Sequence, residues 1–420
     1  MEHMIGLTDT AYLGRVGEVE LGASALAGVY YLVIYMLGFG FSVGAQVLMA
    51  RRNGEGEYKR IGEGFTQGGL FLFLLAAVLF TASNLLTPYL LHRMIGSEEV
   101  YRATMSYLDW RVYGFFFSFI AVMFRAFYVS TTNTKILTAN SVVMVLTNVV
   151  LNYILIFGKF GFPALGIAGA AIASSISEAV SVLFFVIYTW KKIDYKKYGL
   201  FRFTRVDFRM LGQILSVSIW VMIQHGIAFG GWFIFFIAME HLGERPLAIT
   251  NVVRSISSFL FMFVNAFAST NSSLVSNLIG AGESDRGLPL CRRMIGLCYA
   301  FVLPIGILIA MFPSTVLRIY TDNPDLIASS IPSLWVMLSS YLFAVPGFIY
   351  FFSVSGTGNT RRALEIDMAS IFVYVLYILY VAVWLRADVA VCWTTEDVYN
   401  IMILSSFFYL WKGNWRNKKI

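Results

Sequence analysis

One apolar run after another, each long enough to cross a lipid bilayer, is the feature of this 420-residue sequence that leaves the fewest folds open. A spanning helix needs about 20 predominantly apolar residues, and within lipid every backbone N–H and C=O must be satisfied internally, so runs of this kind fold as helices. Apolar spans are read at 22–50, 64–91, 107–129, 135–157, 164–190, 210–239, 247–279, 291–312, 331–354, 366–385 and 392–411. Residues 1–13 rise only about 20 Å as a helix, against a hydrocarbon core of about 30 Å, so the first helix is expected to be cut short at its N-terminal end. The fold class is therefore an all-α polytopic membrane protein with twelve transmembrane helices, the first incomplete.

Lys and Arg gather in alternate connectors. One set holds Arg51, Arg52, Lys59 and Arg60, then Lys135, the long stretch Lys191 to Arg209, Arg286, Arg292 and Arg293, Arg361 and Arg362, and the tail Lys412, Arg416, Lys418 and Lys419. The other set holds only Arg15, Arg93, Arg102, Arg111, Lys159, Arg245, Arg318 and Arg386. The richer set is expected on the cytoplasmic side, which puts the C-terminus inside a bacterial inner membrane. The net charge of +7 is spread over these connectors and forms no soluble basic face, so nucleic acid is not expected as a partner. Three cysteines and four histidines show no paired framework and no metal-ligand spacing.

The longest basic connector divides the chain near its midpoint, and the two sides are similar. Leu13-Gly14 recurs half a chain later as Leu242-Gly243, and each is followed by a span that ends in a small polar turn, Arg52-Asn53-Gly54-Glu55-Gly56 and Gly280-Ala281-Gly282-Glu283. Val129-Ser130 with Asn133-Thr134 recurs as Val354-Ser355 with Asn359-Thr360. The expected organisation is a six-helix lobe at 1–190, a basic connector at 191–209 and a second six-helix lobe with a basic tail at 210–420. Parallel repeats of this kind are a transporter plan, with the site near the repeat interface and alternating access by rocking bundles.

Asp9 is the residue that most needs explaining, because an ionisable group at bilayer depth is costly and usually marks an ion or substrate path. The plainer reading is a wet N-terminal tail. Asn148 and Asn152 stand four apart on one helical face; they either coordinate a cation through amide oxygens or hydrogen-bond neighbouring helices. Glu178, Arg125 and Arg254 lie deep enough to need partners. Gln46, Gln224, His225, Asn265 and Asn271 either line a wet cavity or bridge helices. Gly356-Thr357-Gly358-Asn359-Thr360 lacks the Gly-Lys-Ser/Thr of a phosphate loop and reads as a helix-end turn.

Taken together, Asp9 to Gly17, the turn Ala50-Arg51-Arg52-Asn53-Gly54, Asn148-Val149-Val150-Leu151-Asn152, Pro163-Ala164-Leu165-Gly166-Ile167-Ala168-Gly169-Ala170-Ala171 and Gly356-Thr357-Gly358-Asn359-Thr360 resemble the MATE family of multidrug and toxic-compound extrusion transporters. The resemblance spans nearly the whole chain and is closer to the DinF-like pattern. It implies two six-helix lobes and cation-coupled efflux of organic cations. It also implies that Asp9 is the proton- or sodium-binding carboxylate of the N-terminal lobe, with Asn148 in the same site. Asn152 stands where some DinF-like members carry a second aspartate. The NorM-like branch places acids in its seventh and tenth helices, where this chain offers Gln224, His225 and Pro346, so coupling is expected to rest on Asp9.

The expected mechanism is antiport. Burial favours a neutral carboxyl, so Asp9 takes up a proton, or it stays ionised and holds sodium with Asn148 and Asn152 completing the shell. No other metal and no cofactor is expected, and a monomer suffices. A second reading keeps the architecture and makes the cargo a lipid-linked saccharide, which a basic cavity would support. A third, a membrane-embedded enzyme, needs a nucleophile–base pair or metal cluster within the spans, and neither is read in the sequence.

Overall fold

The computed structural model describes residues 2–13, 15–95, 97–200, 206–321, 323–413 and 415, and these residues form helices joined by short turns, with no strand among them. Gly14, Arg202, Arg205, Arg416, Lys418 and Lys419, which carry part of the repeat and charge reading, lie outside the described residues. The helices are α1 (Glu2–Leu13), α2 (Glu18–Gly54), α3 (Tyr58–Met94), α4 (Glu98–Arg111), α5 (Gly114–Ser130), α6 (Lys135–Phe157), α7 (Gly166–Lys192) and the short α8 (Tyr195–Tyr198). They continue with α9 (Phe208–Leu242), α10 (Glu244–Gly280), α11 (Gly287–Met311), α12 (Pro313–Leu317), α13 (Pro324–Gly356), α14 (Thr360–Ile378), α15 (Val389–Ile403) and α16 (Ser406–Lys412).

Among the described residues, 9 helices are long and apolar enough to cross a membrane, or 10 if α4 and α5 are taken as one span bent by 52°. α1, at 12 residues, and α15, at 15, are shorter than a full crossing. The single span expected at 107–129 is therefore a broken one. Ser97 caps α4 through a bond from the Val100 N–H, and the break follows Arg111. The span expected at 366–385 also departs from a plain helix, since α14 gives way to a π-helical turn at Leu379–Trp384.

The chain divides into two units, one of Met1–Met49 with Glu57–Leu215 and one of Ala50–Gly56 with Ser216–Ile420. In the first unit α6 and α7 pack along each other, α1 lies against both, and α4 lies against α7. Small residues on the first half of α7, among them Ala170, Ala171, Ala173 and Ser174, allow this close packing without a bulky side chain between the helices. Leu13, Ala23, Ala27, Tyr107, Leu108, Ile156 and Ile167 close an apolar cluster with Ala170 and Ala171.

In the second unit α10, α13 and α15 form the centre, with Trp393, Phe235, Phe351 and Leu334 fully buried among them. The turn at residues 50–56 belongs to this unit and makes a reciprocal contact there. Gly54 lies against the Asn277 carbonyl and Gly280 lies against the Arg51 carbonyl, so closely that a Cβ at either glycine would collide with backbone. One sequence offset relates Arg51 to Asn277 and Gly54 to Gly280, so each contact maps onto the other.

Candidate functional site: a buried aspartate in the first unit

Asp9 stands on α1 facing α4, α6 and α7, and it is 3% exposed. The wet-tail reading does not hold for its side chain. Asn148 and Asn152, one turn apart on α6, both aim amide groups at Asp9 Oδ1: Asn152 Nδ2 donates at 2.8 Å and Asn148 Nδ2 at 3.3 Å. The other oxygen, Oδ2, accepts from the hydroxyl of Ser174 on α7 at 2.8 Å and from that of Tyr107 on α4 at 3.0 Å. Asn148 also donates to Ser174 Oγ at 3.0 Å, and Asn152 donates to Asn148 Oδ1 at 3.1 Å.

Removal from water costs a carboxylate several kcal/mol, and bonds to it from neutral donors return about 1.5–3 kcal/mol each. Four donors on two oxygens are about what a carboxylate's lone pairs accept. The two oxygens are not alike, however. Oδ1 faces amide N–H groups, which only donate, whereas Oδ2 faces hydroxyls, which turn over to accept. A proton therefore fits at Oδ2 once one hydroxyl turns over, whereas at Oδ1, as the amides are oriented, it would face N–H groups. A cation there would need both amides to turn their carbonyl oxygens toward Asp9.

The remaining residues singled out in the sequence fall into two sets. In the first unit Glu178 has its partner in Arg111, with Arg111 Nη2 2.6 Å from Glu178 Oε1. Arg111, read in the sequence as one of the connector cations, is in fact buried in the last turn of α4. Its place in the sequence, after a polar stretch, made it look like a loop residue. Gln46 is buried and accepts from Arg125 Nη1 at 3.4 Å, while the Arg125 guanidinium sits over the Phe39 ring. In the second unit Gln224 and His225 are half-buried on α9 and Asn265 is half-buried on α10. Asn271 is fully buried and bridges helices by donating to Ser353 Oγ at 2.7 Å. Arg254 packs over the rings of Phe236 and Trp232. A pocket in the first unit, between α3 and α4, is lined by Ser83, Thr87, Pro88, Met105 and Asp109 and includes none of Gln46, Gln224 or His225.

Reading the sequence missed Tyr107, Ser174 and Arg111 in the first unit. It also missed two acids in the second, the buried Asp367 and the half-buried Glu396. Asp367 on α14 accepts from the Tyr399 hydroxyl at 2.8 Å, and Glu396 on α15 accepts from the Tyr374 hydroxyl at 3.2 Å. Both acids lie within apolar spans, the same signal that drew attention to Asp9.

The MatE family model matches residues 1–154 and 227–383. A Thermotoga maritima relative, named "Probable multidrug resistance protein NorM", is 25% identical over 100% of this chain and 90% of its own length. An Agrobacterium fabrum relative of the same name is 26% identical over 76% of this chain and 68% of its own. Both carry the NorM name and not that of the DinF-like branch. A crystal structure of a MATE transporter in the straight conformation superposes with a TM-score of 0.89 at 18% identity, covering 98% of this chain and 92% of that one.

Proposed function

The chain belongs to the MatE family of multidrug efflux transporters, and we propose that it exports organic cations in exchange for protons taken up at Asp9. The observation that carries the proton reading is the donor set of Asp9: two amide N–H groups on one oxygen and two reversible hydroxyls on the other.

With Asp9 ionised, α1 is held to α4, α6 and α7 by all four bonds. Protonation at Oδ2 turns one of the Ser174 and Tyr107 hydroxyls from donor into acceptor, leaves the other donating to a neutral oxygen, and weakens the charge-assisted bonds to Oδ1. The neutral site is thus held less tightly on the α4 and α7 side. A proton shifts the balance between two arrangements of these helices only in proportion to its preference for one of them, and a tenfold preference is about 1.4 kcal/mol. Exchange follows if the cationic cargo and the proton favour opposite arrangements. We place the C-terminus on the cytoplasmic side of a bacterial inner membrane, on the charge of the connectors, and a single chain is enough for this cycle.

Dye efflux from proteoliposomes tests the ion. An imposed pH gradient without sodium should drive it; efflux driven by a sodium gradient at equal pH, and absent under a pH gradient, would overturn the proton reading.

A further inference from the structure

Tyr107 and Arg111 are one turn apart on α4, and Ser174 and Glu178 are one turn apart on α7, so the two helices meet through two rungs. The first rung is Tyr107 and Ser174 joined through Asp9 Oδ2. The second is the Arg111–Glu178 ion pair, whose side chains are 4% and 1% exposed. Tyr31 of α2 closes it, with its hydroxyl donating to Glu178 at 2.9 Å and its ring 3.4 Å from the guanidinium carbon. Gly114, at the start of α5, leaves room for the pair, because a Cβ there would strike Arg111, Glu178 and Tyr31.

Arg111 follows by one turn of α4 the tyrosine whose hydroxyl donates to Asp9. The groups bonded to Asp9 are Tyr107 from α4, the uncharged Asn148 and Asn152 from α6, and Ser174 from α7, and the charged groups one turn further along α4 and α7 are Arg111 and Glu178. Their charges sum to one negative: Asp9 and Glu178 against Arg111. A guanidinium without Glu178 would pair with Asp9 and leave nothing for a proton to neutralise. A Glu178 without Arg111 would bring a second buried carboxylate that itself needs neutralising.

Resting on the reading of Asp9 as the proton site, we propose that Arg111 and Glu178 are a positioning pair that sets the demand of that site at one proton per cycle. Glu178 holds the guanidinium one turn away from Asp9, and the guanidinium in turn keeps Glu178 ionised and out of the proton cycle. Neither residue touches the proton. The pair also fixes α4 against α7 and so presents Tyr107 to Asp9.

Infrared pH-difference spectra of the purified full chain test this without any cargo, because each buried carboxyl that takes a proton adds a carboxylic C=O band. In the wild type one pH-dependent band should vanish in Asp9→Asn. Arg111→Gln should show about twice that intensity, with the added band removed by a further Glu178→Gln change. Glu178→Gln alone should lose the Asp9 band across the neutral range, and Arg111→Gln/Glu178→Gln together should return to the wild-type intensity. Every variant can reach electroneutrality through a proton or an ion pair, and the double variant reports the site when neither partner is present. An Asp9 band that is unchanged in both single variants overturns the positioning role, as a purely structural pair would leave the count alone. A wild-type spectrum with no band that depends on Asp9 contradicts instead the assignment of Asp9 as the proton site.

Discussion

Asn152 Nδ2 lies 2.8 Å from Asp9 Oδ1, so the second of two α6 amides donates a hydrogen bond to the α1 carboxylate. The amide supports the ionised form of Asp9 more than the neutral form, whose Oδ1 accepts the same N–H in a weaker, uncharged bond.

Asn152→Leu removes this donor. A hydrogen bond to a charged group contributes about 1.5–3 kcal/mol, so the ionised form loses roughly 10- to 100-fold in relative stability. The proton is then held to higher pH. Efflux measured across pH should keep its maximum and shift its midpoint upward by about 1–2 units; a downward shift contradicts the role given to the amide.

Ser174→Ala and Tyr107→Phe each remove a hydroxyl able to reverse its bond when Oδ2 is protonated. Because the hydroxyl serves both protonation states, its loss should slow turnover more than it weakens cargo binding. A fall of about tenfold in maximal efflux rate with little change in KM is expected, and the reverse pattern would place the hydroxyls in cargo binding.

Gly114→Ala inserts a methyl between Arg111, Glu178 and Tyr31. Overpacking of this kind costs about 1–3 kcal/mol, so thermal unfolding of the purified protein in detergent should begin at a lower temperature than in the wild type. An unchanged unfolding temperature would show that the pair relaxes freely, which its burial argues against.

Asp367 and Glu396 are each held by one tyrosine, and neither has the mixed amide and hydroxyl set that surrounds Asp9. Asp367→Asn with Glu396→Gln should therefore leave efflux dependent on the pH gradient. Loss of that dependence with folding intact would move coupling to the second unit.

Much of this was legible in the sequence because lipid allows so few solutions. Apolar runs gave the helices, with α6 found at its observed ends, and the spacing of Asn148 and Asn152 put both on the face that meets Asp9. Periodicity did not reveal the break after Arg111, because no proline marks it and the chain runs from there straight into the apolar start of α5. Tyr107 and Ser174 escaped because a tyrosine or serine in an apolar helix is ordinary, and only the approach of α1 makes them ligands of Asp9. Arg111 escaped because its partner is 67 residues away. A pair of that kind becomes visible once Tyr107 with Arg111 and Ser174 with Glu178 are seen as matching one-turn steps on facing helices.

The most direct test of the central claim is proton movement coupled to cationic dye efflux in proteoliposomes, wild type beside Asp9→Asn. The account predicts that the wild type acidifies the compartment the dye leaves and that Asp9→Asn, correctly folded and inserted, moves neither dye nor protons. Proton-coupled efflux at the wild-type rate in Asp9→Asn would contradict it.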